Sequence, residues 1–212
     1  HTWPEYGYAA VDLFACGTRA RPDVGCAYLV KALQARRHSL STVRRGRGVD
    51  MHWMDEPLTP LDIYRRNITN VLHSKRSRFQ EICIAEAGAY GRALILDGQL
   101  QCASADEFLY HEALVHPAMI QLGLPRSVLI LGGGDGAAVR EVLRWQSVRR
   151  VTMVEIDHEV VEACREHLYD IHQGAFDDPH LGVVIDDALH FLQHTDQTWD
   201  VIISDLPDPV EG

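Results

Sequence analysis

The chain has 212 residues, 46% of them hydrophobic and 24% charged, enough for one sizeable core or two small ones. Its formal charge of −10 is unevenly spread: residues 1–50 hold 8 Lys and Arg against 4 Asp and Glu, net +4, and residues 51–212 hold 12 against 26, net −14. So acidic a body disfavours nucleic acid and anionic membranes, no apolar run reaches the length of a bilayer span, and no signal peptide is visible.

Taken in chain order, residues 6–16 (YGYAAVDLFAC) alternate weakly and predict a strand, and residues 24–38 (VGCAYLVKALQARRH) have helical spacing with basic residues in the last turn. Residues 41–60 (STVRRGRGVDMHWMDEPLTP) carry polar, Gly and Pro punctuation and are expected to form a linker. Between Ser77 and Ser104 the pattern changes to period two, and turn signals at 87–91 and at Asp97-Gly98 predict a small antiparallel meander. Asp106 opens a helix, DEFLYHEALVHPAM, for which Ser104 is the expected cap.

After Pro125 strands and helices alternate. Strands are predicted at 127–132 (SVLILG), 150–157 (RVTMVEID), 181–186 (LGVVID) and 199–205 (WDVIISD), with helices at 137–145, 158–168 and 188–194. Apolar strands alternating with helices imply an α/β fold with a doubly wound parallel sheet, whose ligands bind beyond the carboxyl ends of the strands. Every one of these strands ends in acid: Asp135 follows the first, Glu155 and Asp157 the second, Asp186 and Asp187 the third, Asp205 and Asp208 the fourth.

No metal is expected. Five cysteines (Cys16, Cys26, Cys83, Cys102, Cys164) include no C-x-x-C pair, which argues against a disulfide framework or zinc knuckle and for a reducing cytoplasm. In HEALVH, His111 and His116 lie five apart, where a zinc-binding helix needs four.

The first strand leads into Gly132, Gly133 and Gly134, and Gly132-x-Gly134-x-x-Ala137 has the form of a dinucleotide loop. Glu155, about twenty residues on, suits the two hydroxyls of a ribose. Asp187 suits either an adenine amino group or a plain helix cap. Asp135, Asp205 and Asp208 argue against a pyrophosphate, since no Arg or Lys in these loops balances them. S-adenosylmethionine, a nucleoside with a sulfonium and no phosphate, fits better, although Asp135 favours its ammonium and repels its carboxylate. Decarboxylated S-adenosylmethionine keeps the first and lacks the second. A protonated amine, with a free pKa near ~10, is not a nucleophile, and a carboxylate such as Asp205 can orient it and take its proton.

These residues, in order, resemble the aminopropyltransferases, spermidine synthase and its relatives. The resemblance runs from Arg76 to Gly212 through SRFQ, LILDGQLQ, DEFLYHE, LILGGGDGAAVREVL, VEIDHEVVE, IDDALHF and DLPDP. It implies a Rossmann-like, methyltransferase-type fold. It also implies Gln80 and Gln101 as cofactor-pocket residues, Gly132 and Gly134 in the binding loop, Asp135 on the aminopropyl ammonium, Glu155 on the ribose and Asp187 on the adenine. Asp205 is then the catalytic carboxylate, and Tyr110, His111 and Asp208 lie by the acceptor amine. Two departures bear on that acceptor. Leu206-Pro207 stands where many spermidine synthases have Ser-Ser or Ser-Thr, and His111 where they often have Gln. YHEALVHPA and DLPDPVEG are similar to the thermospermine synthase branch, so putrescine, agmatine and spermidine all stay open, with putrescine first.

HTWPEYGYAAVDLFACG, at the start, resembles the prokaryotic S-adenosylmethionine decarboxylase, a pyruvoyl enzyme made by self-cleavage at a serine. The resemblance implies His1 in self-processing, Cys16 as proton donor, Trp3 for adenine stacking and Glu5 for ribose. The serine is expected just before His1, so the chain as it stands is expected to carry no pyruvoyl group. Three parts are expected: a decarboxylase remnant of α+β type at 1–50, a linker and small β domain at 51–105, and the Rossmann-like domain at 106–212, truncated like the N-terminus. The expected partners are a polyamine substrate and a second copy of the chain, in a cytoplasmic homo-oligomer such as a dimer. A methyltransferase and a non-catalytic assembly module are the rival readings.

Overall fold

A computed structural model of the chain describes residues 2–3, 8–9, 22–32, 35, 52–59 and 61–206. It divides into two compact units, 1–48 and 49–212. In the first, strands β1 (Thr2–Trp3) and β2 (Tyr8–Ala9) pair antiparallel, with Trp3 opposite Tyr8. Helix α1 (Pro22–Ala32) starts on proline, whose missing N–H costs nothing in a first turn. The Ala35 N–H bonds the Val30 carbonyl at 3.0 Å, and residues 33, 34 and 36–38 of the expected helix lie outside the described residues. His1, Glu5 and Cys16 lie outside the described residues.

In the second unit the expected linker is in part a hairpin, β3 (His52–Thr59) against β4 (Asp62–Ile68). Hydropathy hides it because charge ties it down. Asp55 and Arg65 pair across the strands through two bonds of 2.6 Å, and the buried Glu56 takes Arg66 Nε and the Leu100 N–H, each at 3.0 Å. Pro57 is tolerated because β3 pairs with β4 alone.

The meander forms as three strands, β6 (Glu81–Glu86), β7 (Arg92–Leu96) and β8 (Gln99–Ala103), and a fourth strand, β5 (Asn70–Arg76), is added at its edge. Period two holds. Ile82 and Ile84 face the main core, while Cys83 and Ala85 turn to a second cluster with Ile68, Ala93 and Ile95. Asp97 and Gly98, at φ +48° and +78°, make the tight turn, and Asp97 Oδ1 takes the Glu81 N–H.

Helix α2 (Glu107–Leu122) begins without a side-chain cap. Ser104, the expected cap, accepts the Arg92 N–H of β7 at 3.1 Å instead. Strands β9 (Ser127–Gly132), β10 (Arg150–Glu155), β11 (Leu181–Ile185) and β12 (Val201–Asp205) form one parallel sheet in the order β11-β10-β9-β12. Helix α3 (Ala137–Leu143) and α4 (His158–His167) join α2 in the main core, where Ile130, Met153 and Ile203 point. A short α5 (Tyr169–His172) follows, and α6 (Ala188–His194) covers the opposite face over Leu129, Leu131 and Val154. The sheet is therefore wound on both faces, and its direction reverses between β9 and β12.

Candidate active site

That reversal decides where the acids meet. Pairing sets Asp205 opposite Gly132, and a Cβ on Gly132 would lie 2.1 Å from the Asp205 carbonyl oxygen. Gly132 also sits at φ +82°, so both the close approach and the backbone angle require glycine. A Cβ on Gly134 would meet Glu155 Oε2 at 3.0 Å, which puts the acid of the second strand against the loop. Asp135 turns one oxygen, Oδ1, to the Ala137 N–H at 2.8 Å and so starts α3. Its other oxygen, Oδ2, faces His111 of α2, 3.6 Å from Nε2, and Asp205 Oδ2 lies 3.8 Å from the same nitrogen. The Tyr110 hydroxyl hydrogen-bonds Asp205, and the Tyr110 ring meets that of His111 edge-on at 5.0 Å.

A buried carboxyl group, a half-buried one and an imidazole in so small a space reset one another. Burial, and after it the charge of Asp135, lifts Asp205 to about 6, against the pull of His111 and Tyr110. Burial alone would depress His111, but the hydrogen bond to Glu107 and the charges of Asp135 and Asp205 overcome it and raise the imidazole to about 9. Burial likewise raises Glu155, although backbone N–H groups of Asp157, Ile156 and Gly134 counter it. Between α2, the glycine loop and β12, two carboxyl groups thus face one imidazole, and Asp205 and His111 are both shifted away from their ordinary values.

Residues 107–211 match the spermine/spermidine synthase domain, residues 53–104 the spermidine synthase tetramerisation domain, and residues 1–46 S-adenosylmethionine decarboxylase. The polyamine aminopropyltransferase of Synechococcus sp. (strain JA-3-3Ab) is 61% identical over 164 residues, covering 76% of this chain and 53% of that protein. That of Aeropyrum pernix is 52% identical over 161 residues, covering 76% and 51%. Spermidine synthase from Thermotoga maritima superposes with a TM-score of 0.70 at 35% identity, covering 76% of this chain and 57% of that one. A spermidine synthase in complex with the transition state analogue AdoDATO gives 0.73 at 36%, covering 79% and 58%.

From residue 53 onward, the chain belongs to the spermine/spermidine synthase family. A decarboxylase-family segment and a synthase-family domain share one polypeptide. The chain spans about half the length of the curated relatives it matches.

Within the synthase domain the residues singled out by sequence do not all converge. Asp135, Asp205, His111 and Tyr110 do, and Glu155 borders them across Gly134. The Gln80 amide and the Ser77 hydroxyl both donate to Asp157, the cap of α4. Gln101 is exposed on β8 and its amide reaches the Gln99 carbonyl. Asp187 caps α6 through the His190 N–H at 2.8 Å. Of Trp3 only the backbone is described, and Asp208 lies outside the described residues.

Four further side chains, Glu107, Arg140, Glu141 and Cys102, stand behind the acids and carry no motif of their own. Glu107 holds His111 Nδ1 at 2.9 Å and is itself clasped by Arg140 through bonds of 2.7 and 3.0 Å. Arg140 also bonds Glu141, and all four groups are buried. The buried Cys102 thiol is kept protonated by burial and then by the nearby Asp135. The signals available were the four-residue step from Glu107 to His111 and the Arg140-Glu141 pair inside the apolar AAVREVL.

Proposed function

We propose that the synthase domain transfers the aminopropyl group of decarboxylated S-adenosylmethionine to an amine, putrescine first, giving spermidine and methylthioadenosine. The observation that carries this reading is the juxtaposition of Asp135 and Asp205 at the switch point, with no Lys or Arg in the strand-end loops to accept a phosphate. Glu155 would hold the ribose, with Gly134 leaving room beside it. Asp135 would take the aminopropyl ammonium. A carboxylate on the ligand would face Asp135 and Asp205 without an unengaged cation, which favours the decarboxylated form over S-adenosylmethionine.

The acceptor nitrogen attacks the carbon beside the sulfonium. An N–C bond forms, the C–S bond breaks with its electron pair going to sulfur, and the amine proton passes to Asp205. Asp205 at about 6 is ionised at neutral pH, yet basic enough to take that proton as the nitrogen becomes cationic in attack. Tyr110 would orient Asp205, and Asp135 and Asp205 together would set two cations at reacting distance. The decarboxylase-family segment supports the reading, because that family's product is the donor this reaction needs. Its site residues lie outside the described part or are described in backbone alone. A homo-oligomer in the cytoplasm is part of the proposal. The tetramerisation-domain match supports assembly, and among the described residues no helix is long and apolar enough to cross a membrane.

The test is to offer the natural full-length polypeptide decarboxylated S-adenosylmethionine with putrescine, agmatine or spermidine separately, and to follow methylthioadenosine and the new polyamine by mass spectrometry. Methylthioadenosine with putrescine is expected. Turnover with agmatine or spermidine alone would correct the acceptor, and none with any amine would refute the transfer.

A further inference from the structure

His111 occupies the place where a substrate cation has to go. Asp135 Oδ1 is engaged by the Ala137 N–H, so an arriving ammonium must take Oδ2, and that is the oxygen His111 Nε2 faces. Asp205 Oδ2 faces the same nitrogen. The ring has little freedom to turn away: Nδ1 is fixed by the carboxylate and the backbone carbonyl of Glu107, each at 2.9 Å, and the side chain is buried. Arg140 locks Glu107 in turn through two bonds, so the imidazole is gripped from behind in either charge state.

Resting on the aminopropyl-transfer reading, we propose that His111 is a resident cation of the empty site, neutralising Asp135 and Asp205 until the substrate arrives, and that it releases its proton as the substrate ammonium takes its place. Glu107 and Arg140 are then positioning residues that act through the His111 ring.

The groups facing the imidazole bear this out from each side. Glu107 and Tyr110 come from α2, Asp135 and the nearby Cys102 from the glycine loop and β8, Asp205 from β12, and Arg140 from α3 behind Glu107. Carboxylates at three corners hold the ring at about 9 while the site is empty. A ligand ammonium on Asp135 offsets one of those corners and adds a like charge beside Nε2, and both changes drive the proton off. Asp205, at about 6, is already ionised at pH 7.5, so a proton released at that pH comes from the imidazole.

Calorimetry of the natural full-length polypeptide at pH 7.5, in two buffers of different ionisation enthalpy, reads this directly. Decarboxylated S-adenosylmethionine is expected to release most of one proton per site, and methylthioadenosine, which lacks the ammonium, about none. In His111→Gln the release should vanish while decarboxylated S-adenosylmethionine still binds. Glu107→Gln should move the release to lower pH by removing one of the three charges, a shift that loss of packing alone would not produce. Binding without proton release in the natural protein, or release that persists in His111→Gln, overturns the proposal and leaves the transfer reading standing. Binding of S-adenosylmethionine in place of its decarboxylated form overturns both.

Discussion

Asp135→Asn isolates the charge of Asp135 from its structural duty. Asn keeps an Oδ1 for the Ala137 N–H, so the start of α3 is preserved, and the oxygen that faces the site becomes a neutral amide. An ammonium about 4 Å from the lost charge gains ~4 kcal/mol at an effective dielectric of 20. After desolvation, a hydrogen bond to a charged group is worth about 1.5–3 kcal/mol. Decarboxylated S-adenosylmethionine should therefore lose about 10- to 150-fold in kcat/KM. The lower half of that range is favoured, because removing Asp135 also lets His111 discharge more easily. S-adenosylmethionine, whose carboxylate is no longer repelled, should bind as well as before or better. The assay is the ratio of the two binding constants in the natural protein and the variant. An unchanged ratio would refute the assignment of Asp135 to the aminopropyl end.

Asp205→Asn should lower kcat by about 10²–10⁴, the range for loss of a general base. In the unsubstituted enzyme the pH profile of kcat/KM should fall on the acid side through about 6, because only the ionised Asp205 accepts the amine proton; a profile flat from pH 5 to 8 would contradict that role. Gly132→Ala should destabilise by about 3 kcal/mol or more in denaturant unfolding, since the new methyl would press on the Asp205 carbonyl at 2.1 Å from a left-handed backbone. Arg140→Met should cost about 1–3 kcal/mol, because Glu107 and Glu141 lose the cation they share while His111 still pairs with the first and Arg144 with the second, and urea midpoints measure it.

How much of this was legible beforehand depends on which force shapes each element. The parallel sheet was readable because β9 and β10 are buried apolar runs, and the meander because Ile82, Ile84 and Ile95 alternate under a period-two rule. The β3–β4 hairpin was not, since ion pairs such as Asp55–Arg65 carry no hydropathy signal. Ser104 was an apt cap by type, yet its hydroxyl faces β7, and spacing does not reveal such a tertiary partner. At the site, strand-end position announced Asp135, Glu155 and Asp205. The buried Glu107–Arg140 pair was silent because residues 33 apart meet only once α2 packs on α3.

The most direct test of the account is a competition. The natural full-length polypeptide is given putrescine and an equimolar mixture of S-adenosylmethionine and its decarboxylated form, and the two possible nucleoside products are measured together. Methylthioadenosine and spermidine are expected, with no S-adenosylhomocysteine. S-adenosylhomocysteine without methylthioadenosine would contradict it and make the Asp135–Asp205 pair part of a methyltransferase.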